Sequence, residues 1–243
     1  MKAINVVPPR AEVEIYLPDG RVLSGPRGAK VGEFLSVIEH DSLLVAAIVN
    51  GDLRELTFPI ELESRVEPVT ISSPDGARIY RRSLTFLLEM AFIDPFPDAT
   101  LYIDHSVASG GYYCQVTGRS PLTDAEIESL KSHMQELVEA DLPFGRKEVP
   151  LQEAIDYFHS RGYEDKVLLL KYRRKNYLTL YSLGGRMDYL HGYMVPSTGC
   201  LRVFDLVYTE GGFTLRYPRR HKPGELLPMP EYPKLLGTFL QYG

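Results

Sequence analysis

The stretch Ile79-Tyr80-Arg81-Arg82-Ser83-Leu84-Thr85-Phe86-Leu87-Leu88 lies in a helix-patterned segment from Ala77 to about Phe92, which Pro95 and Pro97 break. Residues four apart on a helix share a face, so Arg82 and Phe86 project together. A second stretch, Asp188-Tyr189-Leu190-His191-Gly192-Tyr193-Met194-Val195-Pro196, sets Leu190 and Met194 four apart as well. A guanidinium stays protonated and serves neither as base nor as metal ligand. Phe86, Leu190 and Met194 carry no ionisable group. A thioether alone makes no zinc site, which needs several His, thiolate or carboxylate ligands. No catalytic residue and no metal set is expected at these four places.

Outward from there, Thr123-Asp124-Ala125-Glu126 is a capping box. Behind it Ile127, Leu130, Met134, Leu137 and Val138 form one apolar stripe at helical spacing. Pro150 begins another helix bearing Ala154, Ile155 and Phe158, closed by Gly162. Strand-like runs cover 101–107, 112–116, 167–170 and 201–208. Gly184-Gly185 and Gly211-Gly212 read as hairpin turns. Helices and strands without regular βαβ alternation give an α+β class for this larger unit.

Toward the N-terminus, Val13-Glu14-Ile15-Tyr16-Leu17 alternates as a strand and Pro18-Asp19-Gly20-Arg21 turns it back through Val22-Leu23-Ser24. Val31, Phe34, Leu35 and Ile38 mark a short helix. Asn50-Gly51 joins the runs 45–49 and 53–58 as a two-residue hairpin turn, and a last strand is expected near 66–71. Hairpin, helix, hairpin and strand describe a small β-grasp unit. Ser72-Ser73-Pro74-Asp75-Gly76 reads as the linker to the larger one.

Both opening stretches resemble the editing domain of threonyl-tRNA synthetases. In that family the first reads arginine, His, Ser, two variable residues, His, Leu, Leu, and the second supplies a Cys and a His four apart. Here Arg82, Phe86, Leu190 and Met194 occupy those places. The resemblance continues through Gly111-Tyr112-Tyr113, the capped helix, Glu153-Ala154 and Ser160-Arg161-Gly162-Tyr163. The first unit resembles a TGS domain, on Leu17-Pro18-Asp19-Gly20 and Val49-Asn50-Gly51-Asp52-Leu53. That order of domains opens threonyl-tRNA synthetases and also uridine kinase-like nucleoside kinases, and the degenerate motif is similar to the second group. The resemblance implies a TGS-like domain at 11–72 and a degenerate editing domain at 75–225. It also implies a proline-rich linker at 226–243 toward a kinase domain outside the chain. No Gly-x-x-x-x-Gly-Lys-Ser/Thr motif occurs, and Gly25-Pro26-Arg27-Gly28-Ala29-Lys30 is a turn lacking its spacing.

The resemblance implies a non-catalytic regulatory module that binds RNA, a nucleotide or the kinase domain and adjusts its activity. Its competitors are a hydrolase for misacylated tRNA, which the four replacements disfavour, and a purely structural interaction module. Arg82, with Arg81, Tyr113, Asp188, His191 and Tyr193, would line a nucleotide or anion pocket, because the planar fork of Arg suits phosphate and carboxylate. Alternatively Arg82 pairs with Asp188 or another acid while Phe86 and Leu190 fill the old cleft.

The 243 residues are 44% hydrophobic and 24% charged, with a mean hydropathy of -0.15, as in a globular protein able to bury a core. The net charge of -5 is unevenly spread: from residue 171 onward 11 Lys and Arg face 5 Asp and Glu. This basic third, with Lys171, Arg173, Arg174 and Lys175 clustered, suggests RNA, a nucleotide phosphate or an acidic partner domain; the run Arg219-Arg220-His221-Lys222 is also readable as a solvated loop. Cys114 and Cys200 form no disulfide framework and suit a reducing cytosol. No apolar run marks a signal peptide or membrane span, and no cofactor is implied.

Overall fold

Val13 and Ile15 point inward and Glu12, Glu14 and Tyr16 outward, the period-two pattern of a strand with one buried face. The computed structural model describes Pro8 and residues 10–107 and 110–228. Five strands make the first sheet: β1 (Glu12–Tyr16), β2 (Val22–Pro26), β3 (Leu44–Val49), β4 (Asp52–Glu55) and β5 (Ser64–Thr70). Their order is β2-β1-β5-β3-β4, with β1 parallel to β5 and the other pairs antiparallel. Helix α1 (Val31–Leu35) buries Val31, Phe34 and Leu35 on one side of the sheet. The Asn50-Gly51 turn has φ of 52° and 90°, left-handed at both positions as a two-residue hairpin demands.

Helix α2 (Pro74–Ile93) starts directly after this sheet. The segment 72–76, expected as a linker, is instead its cap and first turn, because the Ser73 hydroxyl accepts the Gly76 amide at 3.1 Å and Pro74 suits the first helical position. A Cβ on Gly76 would lie 2.0 Å from the Thr70 carbonyl oxygen, so only glycine allows the helix to begin so close to β5.

A four-stranded antiparallel sheet packs with α2. It contains β6 (Thr100–Val107), β7 (Gly111–Thr117) and, near the end of the chain, β11 (Asp205–Thr209) and β12 (Gly212–Arg216), ordered β11-β12-β7-β6. Helix α3 (Asp124–Glu139) carries the expected capping box, with the Thr123 amide donating to Glu126 at 2.8 Å and the Glu126 amide to the Thr123 hydroxyl at 3.3 Å. Its Ile127, Leu130, Met134 and Val138 are buried. A third sheet, β10-β9-β8, consists of β8 (Gly145–Pro150), β9 (Tyr177–Leu183) and β10 (Arg186–Asp188), under helices α4 (Leu151–Ser160) and α5 (Glu164–Lys171).

Three strand expectations fail wholly or in part, and of the arm 53–58 only the part up to Glu55 is strand. The run 167–170 is helical in α5, with Val167 and Leu170 buried three apart while Leu168 and Leu169 face out, so a run of four apolar residues concealed a helical face. Of 201–208 only the part from Asp205 on is strand; Thr198–Cys200 form a single 3-10 turn before it. The tail 226–243 lies outside the described residues from 229 on.

The main core joins α2 and α3 to the four-stranded sheet and also takes Ala46, Val69 and Ile71 from the first sheet. Ala47 and Val49 of β3 turn the other way, to a smaller core beneath α1. The first sheet is therefore covered on both faces.

Candidate functional site

Side chains of α2 meet the loop that follows β10. The Ser83 hydroxyl accepts the Val195 amide at 2.9 Å and donates to the Ile79 carbonyl at 2.9 Å; its oxygen lies 3.4 Å from the Met194 sulfur. Phe86 and Met194 are buried, and the Phe86 ring stands 6.0 Å from that of Phe144. Leu190 packs on the same core. The fold thus gathers the four places picked out by the sequence, and three of them are filled with apolar bulk.

Arg82 occupies the fourth. Its Nη1 donates to the Tyr193 carbonyl at 2.6 Å. The guanidinium lies against Gly192, where φ is 106° and a Cβ would come within 2.8 Å of Arg82 Cζ. Burial holds Arg82 below its ordinary value, without depriving it of charge. The alternative of an Arg82–Asp188 pair is not realised, because Asp188 is already committed. Buried at the end of β10, it meets Lys166 Nζ at 2.5 Å and accepts the Tyr189 amide at 2.6 Å. A buried carboxylate needs this compensation, and the cation comes from α5.

Glu89, one turn beyond Phe86 on α2, completes an ionisable cluster. Its residue retains some surface, but its carboxyl is enclosed, and that burial, with Asp188 nearby, pushes it up to about 7; Lys166 acts in the opposite sense. Lys166 and Glu89 were not among the expected site residues. Their approach to Asp188 from α5 and α2 leaves no trace in local spacing.

The other expected residues are dispersed. The Tyr113 hydroxyl donates to the Glu210 carbonyl at 2.9 Å, at the β11–β12 turn. Its neighbour Tyr112 lies beside Tyr217, with ring centroids 5.1 Å apart, in the field of Arg81 and Arg82. Arg81 stacks over Tyr217 at 5.4 Å, and its buried Nε has no hydrogen-bond partner among the described residues. His191 is exposed, and the Tyr193 ring lies beneath Arg146 at 5.7 Å.

In the basic segment, Lys171, Arg174 and Lys175 are exposed beside Tyr172. Arg173 differs, donating to the Tyr177 carbonyl and the Tyr189 hydroxyl, each at 3.1 Å. Lys222 pairs with Glu225 at 2.8 Å. Among the described residues no three His, Cys, Asp or Glu side chains group as a metal site, and no helix is long and apolar enough to cross a membrane.

No family model matches the chain. Over 204 residues, 83% of its length, it is 31% identical to the threonine-tRNA ligase of Symbiobacterium thermophilum and 30% identical to that of Citrifermentans bemidjiense. Over 205 residues it is 34% identical to the threonine-tRNA ligase of Paraburkholderia xenovorans. The chain spans about a third of the length of these relatives, 31% to 32%. These relatives are named as threonine-tRNA ligases, which lends no support to the nucleoside-kinase parent or to a kinase domain as partner.

Proposed function

We propose that this chain is a tRNA-directed binding module of threonyl-tRNA synthetase type, with a TGS-like β-grasp unit at 11–72 and an editing-type unit at 75–225 that no longer hydrolyses an ester. The observation that carries the reading is the filling of the cleft: Phe86 and Met194 are buried in the main core, Leu190 packs on it, and Arg82 is tied to Tyr193. Ester hydrolysis needs a group to position and activate water, and none of these four side chains supplies one. An RNA partner is supported by the relatives' name and by the exposed cations Lys171, Arg174 and Lys175. The test is binding of threonine-specific tRNA across a salt series, since affinity from phosphate contacts falls steeply as salt rises. Binding that ignores salt, or no binding at low salt, would overturn it.

A second reading, hydrolysis of misacylated tRNA, draws on one specific observation. Beside the filled cleft, Glu89, Asp188 and Lys166 keep an ionisable cluster, and a carboxyl pushed up to about 7 is matched to general-base work near neutral pH. Incubation with seryl-tRNA separates the two. Turnover abolished by Glu89→Gln would establish the hydrolase, and turnover no greater than a heat-killed control is what the binding reading expects.

A further inference from the structure

A cleft of about 310 Å³ opens where the end of the first sheet faces the third. Glu55 and Leu56 line it together with Phe144, Arg146, Met194 and Val195. Its two charges are anchored from behind. The buried Tyr181 donates its hydroxyl to Glu55 Oε1 at 2.7 Å, which leaves Oε2 for another donor. Arg146 is laid over the Tyr193 ring, and its Nε stands 3.7 Å from Glu55 Oε2, beyond hydrogen-bond range. One acidic and one basic head thus sit side by side as a loose ion pair next to the Tyr181 hydroxyl, without a direct hydrogen bond between them.

We propose that this cleft binds a small free zwitterion of the α-amino acid type, with its ammonium on Glu55 Oε2, its carboxylate on the Arg146 fork and an apolar side chain against Phe144, Met194 and Val195. The fork of Arg accepts a carboxylate through two parallel hydrogen bonds, and a planar acceptor of that kind completes the geometry left open here. The volume stands at the lower end of the range for ligand pockets, about 300 to 1,000 Å³, which suits a ligand of few heavy atoms rather than a nucleotide. The walls come from β4, β8 and the loop after β10, so an occupant bridges the two sequence units. The site adjoins the filled cleft around Arg82, with which it shares Met194, and requires no RNA.

Calorimetry and thermal melting of the whole chain test it, with L-valine, L-leucine and L-methionine as probes and their methyl esters and N-acetyl derivatives as controls. At least one free amino acid is expected to bind at one per chain and raise the melting temperature. Each blocked form lacks one charge and should bind about tenfold more weakly or worse, the effect of losing a hydrogen bond between charged groups. Glu55→Gln and Arg146→Met should each remove binding; Arg146 is exposed, so its variant should fold as the parent does. The proposal is overturned if none of the three binds, if the blocked forms bind as well as the free ones, or if binding survives in a folded Arg146→Met. Because no RNA is present, failure here leaves the RNA reading where it stood.

Discussion

Arg82 ends its reach on the carbonyl of Tyr193, a neutral partner, rather than on any carboxylate of the described residues. The cation that fills the old cleft therefore holds backbone in place, and the loop after β10 depends on it. Arg82→Ala should destabilise the fold by about 1.5 to 3 kcal/mol, the usual range for a hydrogen bond with a charged donor. Urea denaturation measures this. Gly192→Ala should do comparable damage through its left-handed φ and its collision with the guanidinium. An Arg82→Ala chain with unchanged stability and lost phosphate binding would instead make Arg82 a ligand contact.

Glu89 predicts a particular pH dependence. Its carboxyl is pushed from an ordinary 4.5 up to about 7 in the folded chain. Between those values the folded state binds more proton than the unfolded, so stability from this group falls as pH rises through the window and levels off above about 7. Glu89→Gln removes the penalty. The variant should be more stable than the parent at pH 8 by on the order of 1 to 3 kcal/mol and should match it below pH 4.5.

Cys114 is fully buried on β7, and burial pushes its thiol up to about 12. Since the thiolate is the reactive form, iodoacetamide at pH 8 should leave Cys114 unmodified in the folded chain and label it after denaturation. Peptide mapping reports both states. Rapid native labelling would mean that β7 opens locally.

The four cations of the basic segment should divide three to one. Neutralising Lys171, Arg174 and Lys175 together should flatten the salt dependence of RNA binding with little change in melting temperature, because all three are exposed. Arg173→Ala should lower stability instead, through loss of its bonds to Tyr177 and Tyr189. A uniform effect of all four on affinity alone would contradict this division.

What the sequence disclosed was mostly local. The Thr123 capping box, the Asn50-Gly51 turn, the C-terminal cap at Gly162 and the stripe of α3 rest on neighbours within a few residues, and each is seen in the structure. The run 167–170 is ambiguous in sequence because four apolar residues fit a strand as readily as a helix, and α5 is decided by packing Val167 and Leu170 on α4 and β9. The filled places Arg82, Phe86, Leu190 and Met194 were legible through family resemblance. Lys166 on Asp188, Tyr181 on Glu55 and Ser83 on Val195 were not, since each joins residues at least 22 positions apart by a contact that only the tertiary fold creates.

Gly76 pressed against the Thr70 carbonyl, with Ala46, Val69 and Ile71 sunk in the core of α2, bears on how such a chain is inherited. Each of the two sequence units carries part of the other's interior. A recombination event that transplanted the first sheet alone would strand its second apolar face in water, and one that took α2 onward would open the main core. The two halves therefore keep a dry interior only when they are carried together.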